Sequence, residues 1–182
     1  TRCSRDWSSD VCSSDLTTAC AEKICQLTHY DPRCVGSCVI VSELIHALVY
    51  GIEPPKRSQM KDIAKQYDVE ICDYIDNAWA EPHVKPLVDY DNWGYTLSTL
   101  SVALWSYWHA SSFEEGLLAV VNAGGDADTN AAVACAILGA KYGYQAIPKE
   151  YTDGLLYGEQ LEKGCSRSEE HTSELQSRLH LV

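Results

Sequence analysis

Asp126, Asp128 and Thr129 follow Gly124-Gly125 directly and precede an unbroken run of small and apolar residues from Ala131 to Ala140. Two carboxylates and a hydroxyl on one short turn make a hard oxygen donor set of the kind that suits a magnesium-like cation. Held close without a cation, the two carboxylates would repel, and one of them would have to take up a proton. A simpler use competes with this one. Asp and Thr cap helices routinely, so Asp128 or Thr129 would then do no more than start the helix that follows. An EF-hand loop fails on spacing, because its sixth position falls on Ala131 where glycine is needed and its twelfth on Ile137 where a bidentate Glu is needed.

The elements around this turn follow from periodicity and cap signals. The glycines permit a tight bend, and the helix beyond it is lined by Ala, Cys135 and Gly139, which would let neighbouring helices approach its backbone closely. That helix is expected at the centre of a helical core. Ser112 with Glu115 three residues on reads as a capping box, opening a helix that turns Leu117, Val120 and Val121 inward and delivers the chain to Gly124. Before it, Gly94 allows a close turn, and Tyr95 to His109 reads as a helix burying Leu97, Leu100, Leu104 and Tyr107. Nearer the N-terminus, Thr17 to Leu27 reads as one helix, after which Asp31 is placed to cap and Pro32 to begin a second, apolar on nearly all sides and closed by Gly51. Pro54-Pro55 breaks the chain before helices over Met60 to Tyr67 and Ile71 to Trp79, and Glu81 to Trp93 is the longest loop. Gly143 reads as a C-cap, with a short helix beyond Pro148 to about Tyr157. No strand-period segment or internal repeat occurs, so the fold class expected is all-α.

These residues carry a family resemblance. Residues 112–140, with Gly143 and Ile147-Pro148, resemble the C-terminal half of the ADP-ribosylglycohydrolase family. Leu27-Thr28-His29-Tyr30-Asp31-Pro32-Arg33-Cys34 resembles its Thr-His segment, and Gly94-Tyr95-Thr96 the segment before its last core helices. The likeness runs from about Thr17 to Tyr157. It implies a partial multi-helix domain and hydrolysis of the bond between ADP-ribose and a protein side chain or small acceptor. It also implies one or two magnesium or manganese ions, two in the complete protein. By the same likeness Asp126, Asp128 and Thr129 match the C-terminal ligand set, with Asp126 and Asp128 as the catalytic carboxylates. His29 would line the ADP-ribose pocket near the reacting ribose, with Asp31 its structural neighbour, and Gly124, Gly125 and Tyr95 would border the substrate. Tyr95 fits equally well as a buried aromatic with a hydrogen-bonded hydroxyl. The family's upstream Gly-Asp-x-x-Gly and Thr-Asp-Asp segments do not occur in this sequence. The expectation is therefore an incomplete, inactive and marginally stable piece of a metal-dependent hydrolase. The alternative is a non-catalytic member of the fold that binds ADP-ribose or plays a structural part.

Bulk properties bound the partners. A net charge of −12 and 46% hydrophobic residues describe an acidic, globular, one-domain chain without a basic nucleic-acid patch. No run approaches the roughly 18 apolar residues of a membrane helix, and the N-terminus carries no basic-then-apolar leader. Neither nucleic acid nor membrane is expected as a partner. Residues 6–16 and 167–177 can be read from opposite strands of one DNA segment resembling a sequencing adapter, so 1–16 and 166–182 are set apart as foreign flanks, the first of them disordered. Between the flanks stand Cys20, Cys25, Cys34, Cys38, Cys72, Cys135 and Cys165. An odd number without a Cys-x-x-Cys pair points to reduced thiols in an intracellular, cytoplasmic protein, with Cys34 and Cys38 as small buried residues.

Overall fold

The computed structural model describes residues 10–164. Among them the regular structure is helical and no strand occurs, as the sequence pattern requires: α1 (Asp10–Cys25), α2 (Pro32–Tyr50), α3 (Arg57–Tyr67), α4 (Ile71–Ala80), α5 (Thr96–His109), α6 (Phe113–Ala123), α7 (Ala127–Tyr142) and α8 (Lys149–Asp153). Short 3-10 turns lie at Lys85–Leu87 and Tyr144–Ala146. Residues up to Ala146 form one unit. The segment from Ile147 onward forms another, whose helix α8 is shorter than the sequence suggests.

The caps explain most boundaries. Asp31 accepts a hydrogen bond from the Arg33 backbone N–H, Pro32 takes the first helical position, and Gly51 closes α2 in the left-handed conformation at φ +66°. Gly143 ends α7 at φ +84°. The box at α6 forms in a different arrangement from the one expected. Ser112 accepts from the Glu115 N–H at 3.1 Å, but the Glu115 carboxylate reaches past the cap to the Ser111 N–H at 3.0 Å and to the Ser111 hydroxyl. At α1 the helix begins at Asp10, seven residues before the expected start, so it takes in residues 10–16 of the flank that the sequence reading sets apart. Extending an existing helix costs far less than nucleating one. Residues 1–9 and 165–182, with Cys165, lie outside the described residues.

α2, α5 and α7 share the core. α2 packs on α1, α3, α5 and α7, and α7 lies between α5 and α6. Ile40 and Leu44 of α2, Leu97, Leu100 and Leu104 of α5, and Ile137 of α7 are fully buried against Met60, Ile71 and Ile75 from α3 and α4. Each such side chain removed from water contributes on the order of 1.5–3 kcal/mol. Two glycines allow the helices to meet at close range. A Cβ at Gly36 would stand 2.6 Å from the Ile71 Cδ1, and one at Gly116 would stand 2.6 Å from the Leu138 Cδ1. By length and composition α2 is apolar enough to cross a bilayer, contrary to the expectation that no segment reaches that length. Its Val35, Val39, Ile40, Leu44 and Ala47 are buried against neighbouring helices, which is equally what a core helix requires.

Four burial expectations change. Tyr107 is only half-buried and Val121 faces outward on α6, because that helix turns only its Phe113, Gly116, Val120 and Ala123 side fully toward its neighbours. Cys38 is exposed and Cys34 half-buried, since α2 presents Val35 and Val39 inward in their place. On α7 only Asn130, Ala134, Ile137 and Leu138 are fully buried. Ala132 and Ala136, on the same helix, are exposed.

Candidate functional site

The acidic turn sits where α6 hands over to α7. Gly124 and Gly125 adopt φ +81° and +63°, left-handed values that favour glycine. The turn between the two helices is therefore only a few residues long. Asp126 then takes the N-cap position of α7, its carbonyl accepting from the Asn130 N–H at 3.0 Å, while its side chain makes no cap hydrogen bond. The Thr129 hydroxyl instead donates to the Asp126 Oδ1 at 2.9 Å. Neither Asp128 nor Thr129 holds the cap position; both lie exposed in the first turn of α7. The Asp128 carboxyl is held below the usual carboxylate range, first by the Thr129 backbone N–H and then by the neighbouring Asp126 carboxyl. A helix N-terminus favours an ionised carboxylate at this position.

These donors fit part of a hard-cation site. Two carboxylates and a hydroxyl with free lone pairs face one another at a solvent-accessible turn, and the Asp126 side chain is not consumed in capping. Magnesium and its relatives take about six oxygens. Among the described residues no group of three or more His, Cys, Asp or Glu side chains could hold a metal ion. The remaining oxygens would have to come from water, substrate or further chain.

What holds the turn in place comes from the loop whose purpose the sequence left open. A Cβ on Gly125 would stand 2.4 Å from the Val88 Cγ1, and one on Gly124 would stand 3.6 Å from the Tyr90 Cε1, so the segment Val88 to Tyr90 lies against both glycines. The Tyr90 hydroxyl donates to the Ala123 carbonyl, the last residue of α6. Asp89 shapes this loop by accepting from the Asp91 and Asn92 N–H groups, both at 2.9 Å, and these bonds hold its carboxyl below the usual range. Buried Ser98 anchors the loop from α5, donating to the Leu87 carbonyl at 2.8 Å and accepting from the Asp89 N–H at 3.1 Å. Gly94, at φ +79°, brings the next turn beside the acidic one: a Cβ there would stand 3.9 Å from the Asp126 Oδ2. The Asn130 side chain, 3% exposed, accepts from the Thr99 hydroxyl at 2.9 Å and fixes α7 to α5. At the other end of α7, Lys141 donates to the Tyr107 carbonyl at 2.7 Å.

The second cluster surrounds the Thr-His segment. His29 is exposed, its Nδ1 2.8 Å from the Thr28 hydroxyl. Two residues on, Asp31 forms a forked pair with Arg33, at 2.8 Å to the terminal nitrogen and 3.0 Å to Nε. This bidentate contact, together with the Arg33 backbone N–H, lowers the Asp31 carboxyl to about 2. Arg33 also reaches Glu70, which opens α4, and the Tyr95 hydroxyl, each at 3.4 Å. Tyr95 donates to Glu70 at 3.0 Å; burial, with that bond second, raises its hydroxyl to about 12. Tyr95 is half-buried with its hydroxyl hydrogen-bonded, and it is also the N-cap residue of α5, next to Gly94. A chain of contacts thus leads from the His29 segment through Arg33 and Tyr95 to the turn beside Asp126. Sequence reading missed Arg33, Glu70, Asp89, Tyr90 and Asn130. Only Asp89 offered a local signal, an Asp three residues before an Asn in a loop that Gly94 follows.

Comparison with known proteins places the chain in a family. The family model of the ADP-ribosylglycohydrolases matches residues 10–178. The chain is 30% identical over 149 residues to the ADP-ribosylarginine hydrolase Tri1 of Serratia proteamaculans, covering 82% of this chain and 39% of that protein. It is 27% identical over 130 residues to the ADP-ribosyl-[dinitrogen reductase] glycohydrolase of Rhodospirillum rubrum, covering 71% and 40%. A solved structure titled ADP-ribosylglycohydrolase-related protein complex superposes with a TM-score of 0.66 at 25% identity, over 80% of this chain and 50% of that one. The chain thus spans less than half of either named relative. A family match across most of its length, on an all-helical fold shared with that solved structure, shows that this chain belongs to the ADP-ribosylglycohydrolase family.

Proposed function

We propose that this chain contributes the C-terminal metal-binding part of a hydrolase that cleaves the glycosidic bond between ADP-ribose and a protein side chain. The name of the Serratia relative favours arginine as the acceptor. The observation that carries the reading is the acidic turn itself, in which the Asp126 side chain occupies a cap position without capping and meets the Thr129 hydroxyl instead. Asp126, Asp128 and Thr129 would hold magnesium or manganese. A bound divalent ion would supply Lewis-acid polarisation and orient the ribose hydroxyls.

The chain's own residues have the remaining tasks. Asp128, ionised and exposed, is placed to accept a proton or a ribose hydroxyl. Gly124 and Gly125 let the Val88–Tyr90 loop close against the turn, and they border the substrate at the head of α7. His29, exposed at the end of the Thr28 turn, is a substrate contact, and the Asp31–Arg33–Tyr95 chain keeps its segment in register with the Gly94 turn. Two carboxylates are too few for tight binding of a hard cation, so this chain alone binds magnesium weakly and does not turn over substrate. The reaction is intracellular, on an ADP-ribosylated protein or a small acceptor.

Isothermal titration with magnesium chloride tests the ligand set. The expected result is a dissociation constant in the millimolar range or weaker, abolished in the variant carrying both Asp126→Asn and Asp128→Asn. Micromolar affinity would show the chain's own ligands to be sufficient, and binding unchanged in the double variant would remove the turn from the site.

A further inference from the structure

Three thiols meet where α1 ends and α2 begins. Cys25, 8% exposed, is the last residue of α1, and Cys34 and Cys38 stand one turn apart on α2, which packs along α1. Although Cys38 is exposed as a residue, its thiol is turned to α1 and shares a hydrogen bond with the Cys25 thiol. Cys34 is half-buried and is engaged elsewhere, by the Thr96 side chain at the start of α5. The three do not form a metal site, since no group of three such donors among the described residues could hold an ion. Cys25 is also the residue to which the Thr-His segment is tied. Its carbonyl accepts from the Thr28 N–H at 3.1 Å, the His29 N–H at 2.9 Å and the Thr28 hydroxyl at 3.3 Å. Its thiol donates to the His29 carbonyl at 3.7 Å. A thiol has one proton to give, so within the pair Cys38 donates and the Cys25 sulfur accepts.

We propose that Cys25 and Cys38 form a dithiol latch: with a low-molecular-weight disulfide as oxidant they close into one intramolecular disulfide that ties α1 to α2, and closure removes the S–H that holds the His29 carbonyl. The inference goes beyond the proposed function and stands whether or not His29 touches a substrate. Rotation about the Cα–Cβ bonds brings two sulfurs already in contact to bonding distance. The exchange then balances in two steps. The Cys38 thiol, the more exposed of the two, loses its proton and attacks one sulfur of the small disulfide, whose S–S bond breaks to release one small thiol. The Cys25 thiol loses its proton and attacks the Cys38 sulfur, expelling the second small thiol. Two protein thiols are oxidised, the small disulfide is reduced, and the two protons end on the two thiols released. Burial, and after it the hydrogen bond to Cys25, raise the Cys38 thiol above its ordinary value, so closure is slow at neutral pH. The same burial disfavours the thiolates that reopening would produce, so the closed form resists mild reductants.

The test is to incubate the folded chain with oxidised glutathione and map its bridges by mass spectrometry of tryptic peptides under non-reducing conditions. Trypsin cuts after Lys23, Arg33 and Lys56, which puts Cys25 on one peptide and Cys34 with Cys38 on another, and fragmentation distinguishes the last two. The expected product is a Cys25–Cys38 bridge, a melting temperature raised by about 5 °C or more, a shifted His29 backbone carbonyl resonance, and full reversal by excess dithiothreitol. Cys34→Ser should leave the bridge in place, and Cys25→Ala should stop the reaction at glutathione attached to Cys38. No bridge at all, a Cys25–Cys34 or Cys34–Cys38 bridge, an intermolecular bridge, or glutathione left on Cys38 of the unaltered chain would each overturn the proposal, and none of these readings needs a variant that folds. A Cys25–Cys38 bridge that leaves the His29 carbonyl resonance in place would overturn the link to that segment.

Discussion

The two acidic regions of this chain use the same side chains to opposite ends. Around Asp31 every charge has a protein partner: Arg33 is forked onto Asp31 and shared with Glu70, and Glu70 in turn accepts from Tyr95. Around Asp126 no cation of the described residues approaches either carboxylate within ion-pair distance, and the turn itself offers a hydroxyl and backbone N–H groups to meet them. The first arrangement joins the starts of α2, α4 and α5. The second leaves oxygen lone pairs facing solvent at the head of a helix. A carboxylate cluster with internal cations is structural; one without them is available for a ligand that brings positive charge.

That contrast is broken most severely at the acidic turn. In the isolated chain, Asp126→Asn or Asp128→Asn should weaken magnesium binding roughly tenfold or more, measured by isothermal titration. The isolated chain should meanwhile melt no lower, since a like-charge neighbour has been removed. A large drop in its melting temperature would make the turn structural too. Gly125→Ala should be the most damaging single change to the fold near the site. The new Cβ meets the Val88 Cγ1 at 2.4 Å on a backbone at φ +63°, a combination that costs on the order of 1–3 kcal/mol or more. Urea denaturation of the isolated chain would register it.

The structural cluster answers to different changes. Arg33→Met leaves Asp31 and Glu70 facing each other without their cation, and should lower the melting temperature by roughly 3–6 °C while leaving magnesium affinity within about twofold. Arg33→Lys should restore only part of the loss, because an ammonium cannot reproduce the forked contact. The smallest effect is the pH dependence. The Asp31 carboxyl sits at about 2 in the folded chain against an ordinary value of 3.8. As pH falls, the unfolded chain therefore binds the proton first. The stabilisation is complete above the ordinary value and is lost progressively as pH drops towards about 2. Acid unfolding of Arg33→Met followed by circular dichroism should lack this component. An unchanged acid limb would show that the pair contributes nothing to folding.

Much of this was legible in the residue order. The Asp31-Pro32 start and Gly51 stop of α2, the Gly143 end of α7 and the glycine-framed turn at Asp126 are all local, each needing partners no more than about four residues away. The loop of Glu81 to Trp93 was not legible, because its meaning lies in the contact of Val88 and Tyr90 with a glycine pair more than thirty residues further along. Glu70 was invisible for the same reason: the sequence gives no sign that the first turn of α4 comes to lie beside Arg33 and Tyr95. The inward face of α6 was misread at Val121 because an apolar run of several residues cannot say which side will be covered.

The residue order by itself determined an all-helical chain, where most of its helices start and stop, and the presence of two carboxylates and a hydroxyl on a turn that only glycines can make. Packing decided which acidic cluster is neutralised from within and which stays open, and which side of α6 and of α7 is buried. The physical reason is range. Caps and turns are settled by neighbours along the chain, whereas the partner of a charge and the cover of an apolar stripe depend on which helices meet.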